Sequence, residues 1–554
     1  MATTASAMTA TGQPDPGRWR VLSIGLVGAF MVMFDTSMMN AILPTMQTAL
    51  HMSPTQVTWA TAGFSLAGAV TLVPAGRLGD DFGRRRMFVI GMVLFLLASL
   101  SCALAPDGSW LVGSRFAMGV AGSIVIPQVI GLMQQMFTGR GRSKAFGVYA
   151  AIVAMSTAWG PLIAGQTVDG FGHHDGWRYV FLLGMPISLV ALVLGYRRLP
   201  QTPHKGAGHG RVDLGGMALL GLALVAIVLP LAENGDKGVT PPWWLLGVGA
   251  VLLAAFVLWE RALDRRGEHP MIKPRLLVLP SFTFSFVTCL FFYAAFPPIF
   301  ILLQLYFQAG LHYSALHSSL GTVLFPVGSM SGALISGRLV PRFGRRMIVA
   351  GCLMMTAGLA ATSLACLNWD GGHIVFVLSP GLLVCGLGAG FVISSNQSLG
   401  LYDIPRTDAS TAGGTYQVGV KIGSAIGIPI ATSVFFSTLA DNRGNFADAV
   451  SAGLMIPACM AFAASLVAAV GLVRTKQRGS REVPEGGDRD PHDVAMALKE
   501  APFGGRRAAP AERSRTAESS RTAEPRRRAE PRRTAEPPRA GEDATAETTR
   551  RIKD

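Results

Sequence analysis

VLSIGLVGAFMVMFDTSMMNAILP, residues 21–44, decides the fold. Val21 to Leu43 is an apolar run long enough to cross a bilayer as one helix. Asp35 sits in its middle. A carboxylate at that depth costs at least about 2.5 kcal/mol on insertion scales, so it usually faces a cavity and handles protons, ions or a cationic ligand. The plainer reading is a bundle residue satisfied by Thr36 or Asn40.

Runs of this kind recur along most of the chain. Fourteen spans are expected at about 21–43, 57–75, 87–105, 109–132, 145–168, 178–198, 214–232, 243–263, 281–303, 316–338, 347–367, 373–400, 411–436 and 451–473. The composition agrees: 50% of the 554 residues are hydrophobic, 15% are charged, and mean hydropathy is +0.40. Soluble domains carry nearer a quarter charged residues. The fold class is therefore an all-α integral membrane bundle, because only internally bonded helices or closed barrels satisfy the backbone in lipid. The N-terminus lacks the layout of a cleaved signal, so the first span is read as retained.

The net charge of +15 does not point to nucleic acid. Lys and Arg gather in alternate short loops, at 76–86, 140–144, 197–211, 261–275 and 338–346, and in the tail. That is the positive-inside pattern, and with fourteen spans it places both termini in the cytoplasm. The six cysteines form no CxxC pair and the histidines have no ligand spacing, so no metal is expected. No GxxxxGK[ST] run and no cluster of nucleophile, base and orienter occurs, so neither ATP nor enzyme chemistry is expected.

An internal repeat orders the spans. GRLGDDFGRRR (76–86) returns as GRLVPRFGRR (337–346), with an offset of 261 residues. Parallel repeats of this sort mark two-lobed transporters. The expected layout is a cytoplasmic N-terminus (1–20), a six-helix lobe (21–198), two inserted helices (199–263), a second six-helix lobe (264–473) and a tail (474–554). The tail carries RTAE and AEPRR repeats, with 20 Lys and Arg against 15 Asp and Glu, and has too few apolar residues for a core. It reads as a disordered cytoplasmic segment; contact with anionic lipid is the alternative to a plain solvated tail.

Several polar groups stand out. In the first repeat copy Gly76 and Gly83 permit tight turns, Asp80 can face a helix N-terminus, and Arg84 and Arg85 supply cations, an arrangement suited to a latch. Pro341 replaces the carboxylate in the second copy, so the latch is one-sided. Arg115 lies in span 4 and needs a carboxylate or carbonyl partner, unless it snorkels outward. The second-lobe run PGLLVCGLGAG (380–390) has no such cation. Span 5 carries Gly147, Gly160, Pro161 and Gly165 along a small-residue stripe. Gln304, Tyr306 and Gln308 end span 9, where they line a vestibule or, for Tyr306, anchor at the interface. Lys421 lies inside span 13, where it pairs with a carboxylate, attracts an anionic substrate or snorkels.

These motifs resemble a known family. Residues 76–86 resemble the loop 2–3 signature of the major facilitator superfamily. FDTSMMNAILP (34–44) resembles the first-span signature of its fourteen-span drug:proton antiporter family, which usually reads Leu-Asp-x-Thr-x-Val-Asn-x-Ala-Leu-Pro. Asp35, Asn40, Leu43 and Pro44 match; Phe34, Ser37, Met39 and Ile42 depart, with Ser37 keeping the hydroxyl. The span 5 spacing resembles the antiporter motif that symporters generally lack, with Ser156 and Ala164 where glycine is usual. Span 13 departs from the usual Arg-Gln at Val420 and Lys421. The resemblance covers about 15–475.

It implies proton-driven efflux of a small amphipathic compound, such as an antibiotic, across a bacterial plasma membrane, with no cofactor beyond the proton gradient. Asp35, Arg115 and Asn40 would then couple protons to substrate, and Gly76, Asp80, Gly83, Arg84 and Arg85 would gate the cytoplasmic side. Two alternatives stay open: a proton-coupled carrier of one dedicated metabolite, and a transport-dead sensor.

Overall fold

The computed structural model describes residues 17–137, 139–172, 174–201, 213–234, 236, 239–268, 270–369, 373–402, 404 and 409–479. The chain runs through α1 (Gly17–Ala49), α2 (Pro54–Phe82), α3 (Arg84–Ala103), α4 (Gly108–Met136), α5 (Gly139–Phe171), α6 (Gly176–Arg198), α7 (Leu214–Glu233), α8 (Trp244–Arg265), α9 (Pro280–Leu305), α10 (Ala315–Thr322), α11 (Leu324–Phe343), α12 (Arg346–Asn368), α13 (Ile374–Gly400), α14 (Ala409–Asp441) and α15 (Phe446–Gly479). Fourteen stretches of the described residues are long and apolar enough to span a membrane, because α10 and α11 together make one. Large apolar side chains face outward, among them Leu97, Val251, Leu334 and Phe376. On a soluble protein that much exposed apolar surface would be a liability, whereas lipid welcomes it.

Local chemistry sets the helix ends. Ser53 and Gln56 close a capping box ahead of Pro54, and the Asp107 carboxylate accepts from the Trp110 amide at the start of α4. The expected loop at 76–86 is shorter than its polarity suggests. Helix α2 continues to Phe82, α3 begins at Arg84, and Gly83 alone turns the chain with φ of 97°. In the second copy Gly344 turns at φ 52°, so the repeat shares a backbone device as well as a sequence. The span expected at 316–338 breaks at Val323. Pro326 has no amide to donate to Thr322, which cuts the helical ladder there. Span 9 does not stop near 303 either; α9 passes into a π-turn at Tyr306–Gly310. Helix α15 continues through 474–479, and the tail expectation otherwise falls outside the described residues.

The elements form two six-helix lobes plus an inserted pair. In the first lobe α1 packs on α5 and α6, α4 on α2 and α3, and α3 on α6. In the second, α13 packs on α11 and α12, and α15 on α9 and α12. Gly328 and Gly332 of α11 face Gly386 and Gly390 of α13 so closely that an added Cβ at any of the four would lie 2.1–2.5 Å from a carbonyl oxygen. Small residues four apart let the two backbones approach, which is how helices associate without a hydrophobic driving force between them. The lobes meet through α2 with α14, α1 with α9, and α5 with α10 and α11. The inserted α7 packs on α8 and reaches both α2 and α14.

Candidate functional site

Asp35 and Arg115 meet in the core of the first lobe. They are 2% and 1% exposed, and Arg115 Nη1 donates to Asp35 Oδ2 at 2.7 Å. Arg115 Nε donates to the Ala60 carbonyl at 3.3 Å, and the guanidinium lies 4.9 Å from the centroid of Phe64. Three helices therefore converge on one cation. Gly119, one turn beyond Arg115, makes this possible: a Cβ there would sit 2.4 Å from the Phe64 carbonyl, so α4 lies directly on α2. Of the readings open at the outset, Thr36 donates to its own helix at Val32 and does not hold Asp35, and Arg115 does not snorkel. Asn40 is half-buried further along α1 and is not a partner of Asp35.

At the end that carries the 50–53 turn the lobes are closed. Gln308 donates to the Ala41 carbonyl at 2.7 Å and to Gln304 Oε1 at 2.9 Å, and Thr45 donates to Gln308 at 3.3 Å. Gln304 and Tyr306 are both buried, so this end of α9 is a seam with α1 rather than an open vestibule or an interfacial anchor. Ser319 Oγ lies 2.8 Å from the Pro161 carbonyl oxygen, joining α10 to α5. A Cβ on Gly165 would come 2.7 Å from the Ala315 carbonyl oxygen, and one on Gly160 would come 2.6 Å from Ser37 Cβ.

The opposite end lies around Gly83. A Cβ on Gly147 or Gly337 would meet nothing within 4 Å. A cleft of about 170 Å³ opens between α2, α4 and α14; its wall includes Gly76, Arg77, Asp80, Arg84, Lys273 and Gln417. Asp80 and Arg84 form an ion pair, and Arg84 also reaches the Pro127 carbonyl on α4 at 3.3 Å. Arg85 donates to the Tyr196 carbonyl and stacks on its ring, which ties α3 to α6. In the second copy Arg345 donates to the Ser281 carbonyl at 3.0 Å.

Lys421 stands on α14 facing α2, with Nζ 4.8 Å from the Phe64 centroid. It is half-buried and among the described residues forms no ion pair, so no carboxylate partner accounts for it.

Sequence reasoning passed over Asp213 and Glu260. Asp213 caps α7 by accepting from the Gly216 amide at 2.8 Å and also accepts from Trp259 Nε1 at 2.9 Å. Glu260 Oε2 accepts from the Ile272 amide at 2.9 Å. Their other oxygens, Asp213 Oδ2 and Glu260 Oε1, are buried with no third group donating to them among the described residues, and both lie within 3 Å of where a Gly216 Cβ would be. Arg77 donates to the nearby Pro270 carbonyl. The available signal was a carboxylate just inside each terminus of the inserted pair, which reads equally well as a helix end.

The Major Facilitator Superfamily family model matches residues 25–428. A probable actinorhodin transporter of Streptomyces coelicolor is 33% identical over 435 residues, covering 78% of this chain and 75% of that protein. A puromycin resistance protein of Streptomyces alboniger is 32% identical, covering 76% and 82%. Among solved structures, an auto-inhibited peptide transporter of the POT family superposes with TM-score 0.61 at 16% identity, over 85% of this chain and 99% of that one. A D-xylose–proton symporter gives 0.57 at 14%, over 81% and 97%. At such identities the structures speak to the fold alone.

Proposed function

The chain belongs to the Major Facilitator Superfamily, and from that premise we propose that it exports a small amphipathic compound, such as an antibiotic, from a bacterial cell in exchange for protons. The observation that carries the reading is the buried pair of Asp35 and Arg115. The names of the relatives support export: one is called a puromycin resistance protein, another a tetracenomycin C resistance and export protein.

The alternation of basic loops puts the Gly83 end in the cytoplasm, with both termini. On that orientation the seam at Gln308 faces outside and the cleft at Asp80 faces inside. Alternating access follows from rocking one lobe on the other about a mid-membrane site. A proton on Asp35 cancels its attraction for Arg115, frees the guanidinium and changes how α1, α2 and α4 hold together. Release of that proton to the cytoplasm re-forms the pair and resets the pump. On this reading Asp80, Arg84 and Arg85 hold the inner gate, and the small residues of α5 let the outer seam close.

The test is susceptibility of an efflux-deficient bacterium to a broad toxicant panel, with the intact chain or Asp35→Asn at matched membrane levels. Resistance from the intact chain that disappears in the substituted one is expected. Resistance that survives the substitution would keep export and sink the coupling role. Resistance to nothing would point to a carrier of one dedicated metabolite.

A further inference from the structure

Asp35 and Arg115 balance each other, but a second, half-buried cation stands beside the same ring and forms no ion pair among the described residues. Lys421 Nζ and the Arg115 guanidinium both lie within 5 Å of the centroid of the buried Phe64 ring. The lysine stem is seated by design of the opposite helix: a Cβ on Gly68 would come 3.2 Å from Lys421 Cδ. The charge that shares the Phe64 ring with Lys421 is Arg115, which is also positive. Asp35 Oδ2 already accepts from Arg115. An ammonium held inside a membrane bundle needs a counter-charge. A cation–π contact offsets only part of the cost of taking the ion out of water.

The approach to Lys421 is lined by more cations than anions. One helical turn toward the Gly83 end, Gln417 on α14 and Leu72 on α2 line the cleft. The cleft wall carries Arg77, Arg84 and Lys273 together with Asp80, which pairs with Arg84, while Glu260, Asp213 and Asp81 lie near Arg77 outside the lining. Cations along a low-dielectric channel focus a positive potential and concentrate anions at its end.

We propose that Lys421 is the counter-charge of the substrate, and that the substrate is an amphipathic anion: a carboxylate or acidic phenol on an aromatic body. The acid meets Nζ, and the aromatic body lies toward Phe64. This rests on the export reading and adds the charge class that the site selects.

The probe pair is tritiated 1-hydroxy-2-naphthoate and its neutral amide, bound to the purified intact chain by scintillation proximity. The acid should bind at least about tenfold tighter than the amide. Lys421→Gln should erase that preference, and Lys421→Arg should keep most of it, which separates charge from folding. An acid that fails to bind, or binds no tighter than the amide, overturns the proposal, as does a preference unchanged in Lys421→Gln. The same pair is then offered to energised everted membrane vesicles. Accumulation of the acid supports both readings. Binding through Lys421 without accumulation leaves the charge class standing and sinks export. Accumulation of the amide alone overturns the charge class and keeps export.

Discussion

The guanidinium of Arg84 occupies the space that a side chain at Gly131 would need: an added Cβ would sit 1.3 Å from Arg84 Nη1. Gly131 therefore holds the loop 2–3 cation against α4, where Arg84 reaches the Pro127 carbonyl while pairing with Asp80. Gly131→Ala must expel the guanidinium and lose both contacts. Hydrogen bonds to charged groups are worth about 1.5–3 kcal/mol each, so a clear drop in thermal stability is expected, with transport reduced more than membrane level. Gly131→Val should be worse. An alanine variant that matches the wild type in both readouts would show that Arg84 has another place to go.

The pair of Asp35 and Arg115 predicts a non-additive double substitution. Removing one partner of a buried ion pair costs about 3–5 kcal/mol because the other charge is stranded, whereas removing both can be close to neutral. Asp35→Asn leaves Arg115 without a counter-charge among the described residues, with neutral acceptors alone: the new amide oxygen, the Ala60 carbonyl, Met118 sulfur and the Phe64 face. Asp35→Asn with Arg115→Gln should unfold at a higher temperature than Asp35→Asn alone, although neither exports. Losses that simply add would mean the two residues act independently, and the coupling scheme would lose its basis.

Much of this could be read from the chain, for identifiable reasons. Long apolar runs have few possible meanings, so all fourteen spans lie where their hydropathy puts them. Asp35 and Arg115 stood out singly because charge is rare at such depth, although their pairing across 80 positions needed the fold. What was misread was local. The polar surface of 76–86 suggested a loop, but the α2 backbone remains helical beside those side chains until Gly83. Pro326 broke a span whose hydropathy was continuous. Gly131 and Gly68 look like any membrane glycine, since their meaning lies in Arg84 and Lys421 on other helices.

The closed seam between α5 and α10 predicts a graded response along one helix. A Cβ at Gly165 collides with backbone atoms of Ala315, which cannot rotate away, whereas a Cβ at Gly147 meets open space. Gly165→Ala should force the seam apart and Gly147→Ala should leave it shut. A cysteine placed at Ser319, which is 1% exposed, reports this in a background without the six native cysteines. Its reaction with an impermeant thiol reagent added outside should rise several-fold with Gly165→Ala only. Equal reactivity in both variants would argue against a seam held by small residues, and reaction only from the cytoplasmic face would reverse the proposed orientation.

Asp213 and Glu260 predict a stabilising substitution. Each spends one oxygen on a backbone amide and turns the other toward its neighbour. Two buried carboxyl oxygens facing each other share one proton, and they repel once rising pH removes it. Asp213→Asn should keep its oxygen on the Gly216 amide and Trp259, and present its NH2 group to Glu260 Oε1. That trades a repulsion for a hydrogen bond to a charged acceptor, a gain on the order of 1–2 kcal/mol. Glu260→Gln should do the same in reverse, with its oxygen on the Ile272 amide. Glu260→Leu should destabilise, because it strands that amide and the facing Asp213 oxygen. Thermal unfolding at alkaline pH ranks the three, with both amide variants above the wild type and the leucine variant below it, and the advantage of the amides shrinks as falling pH returns the shared proton. Amide variants that unfold earlier than the wild type at alkaline pH would mean that another donor lies between the two acids.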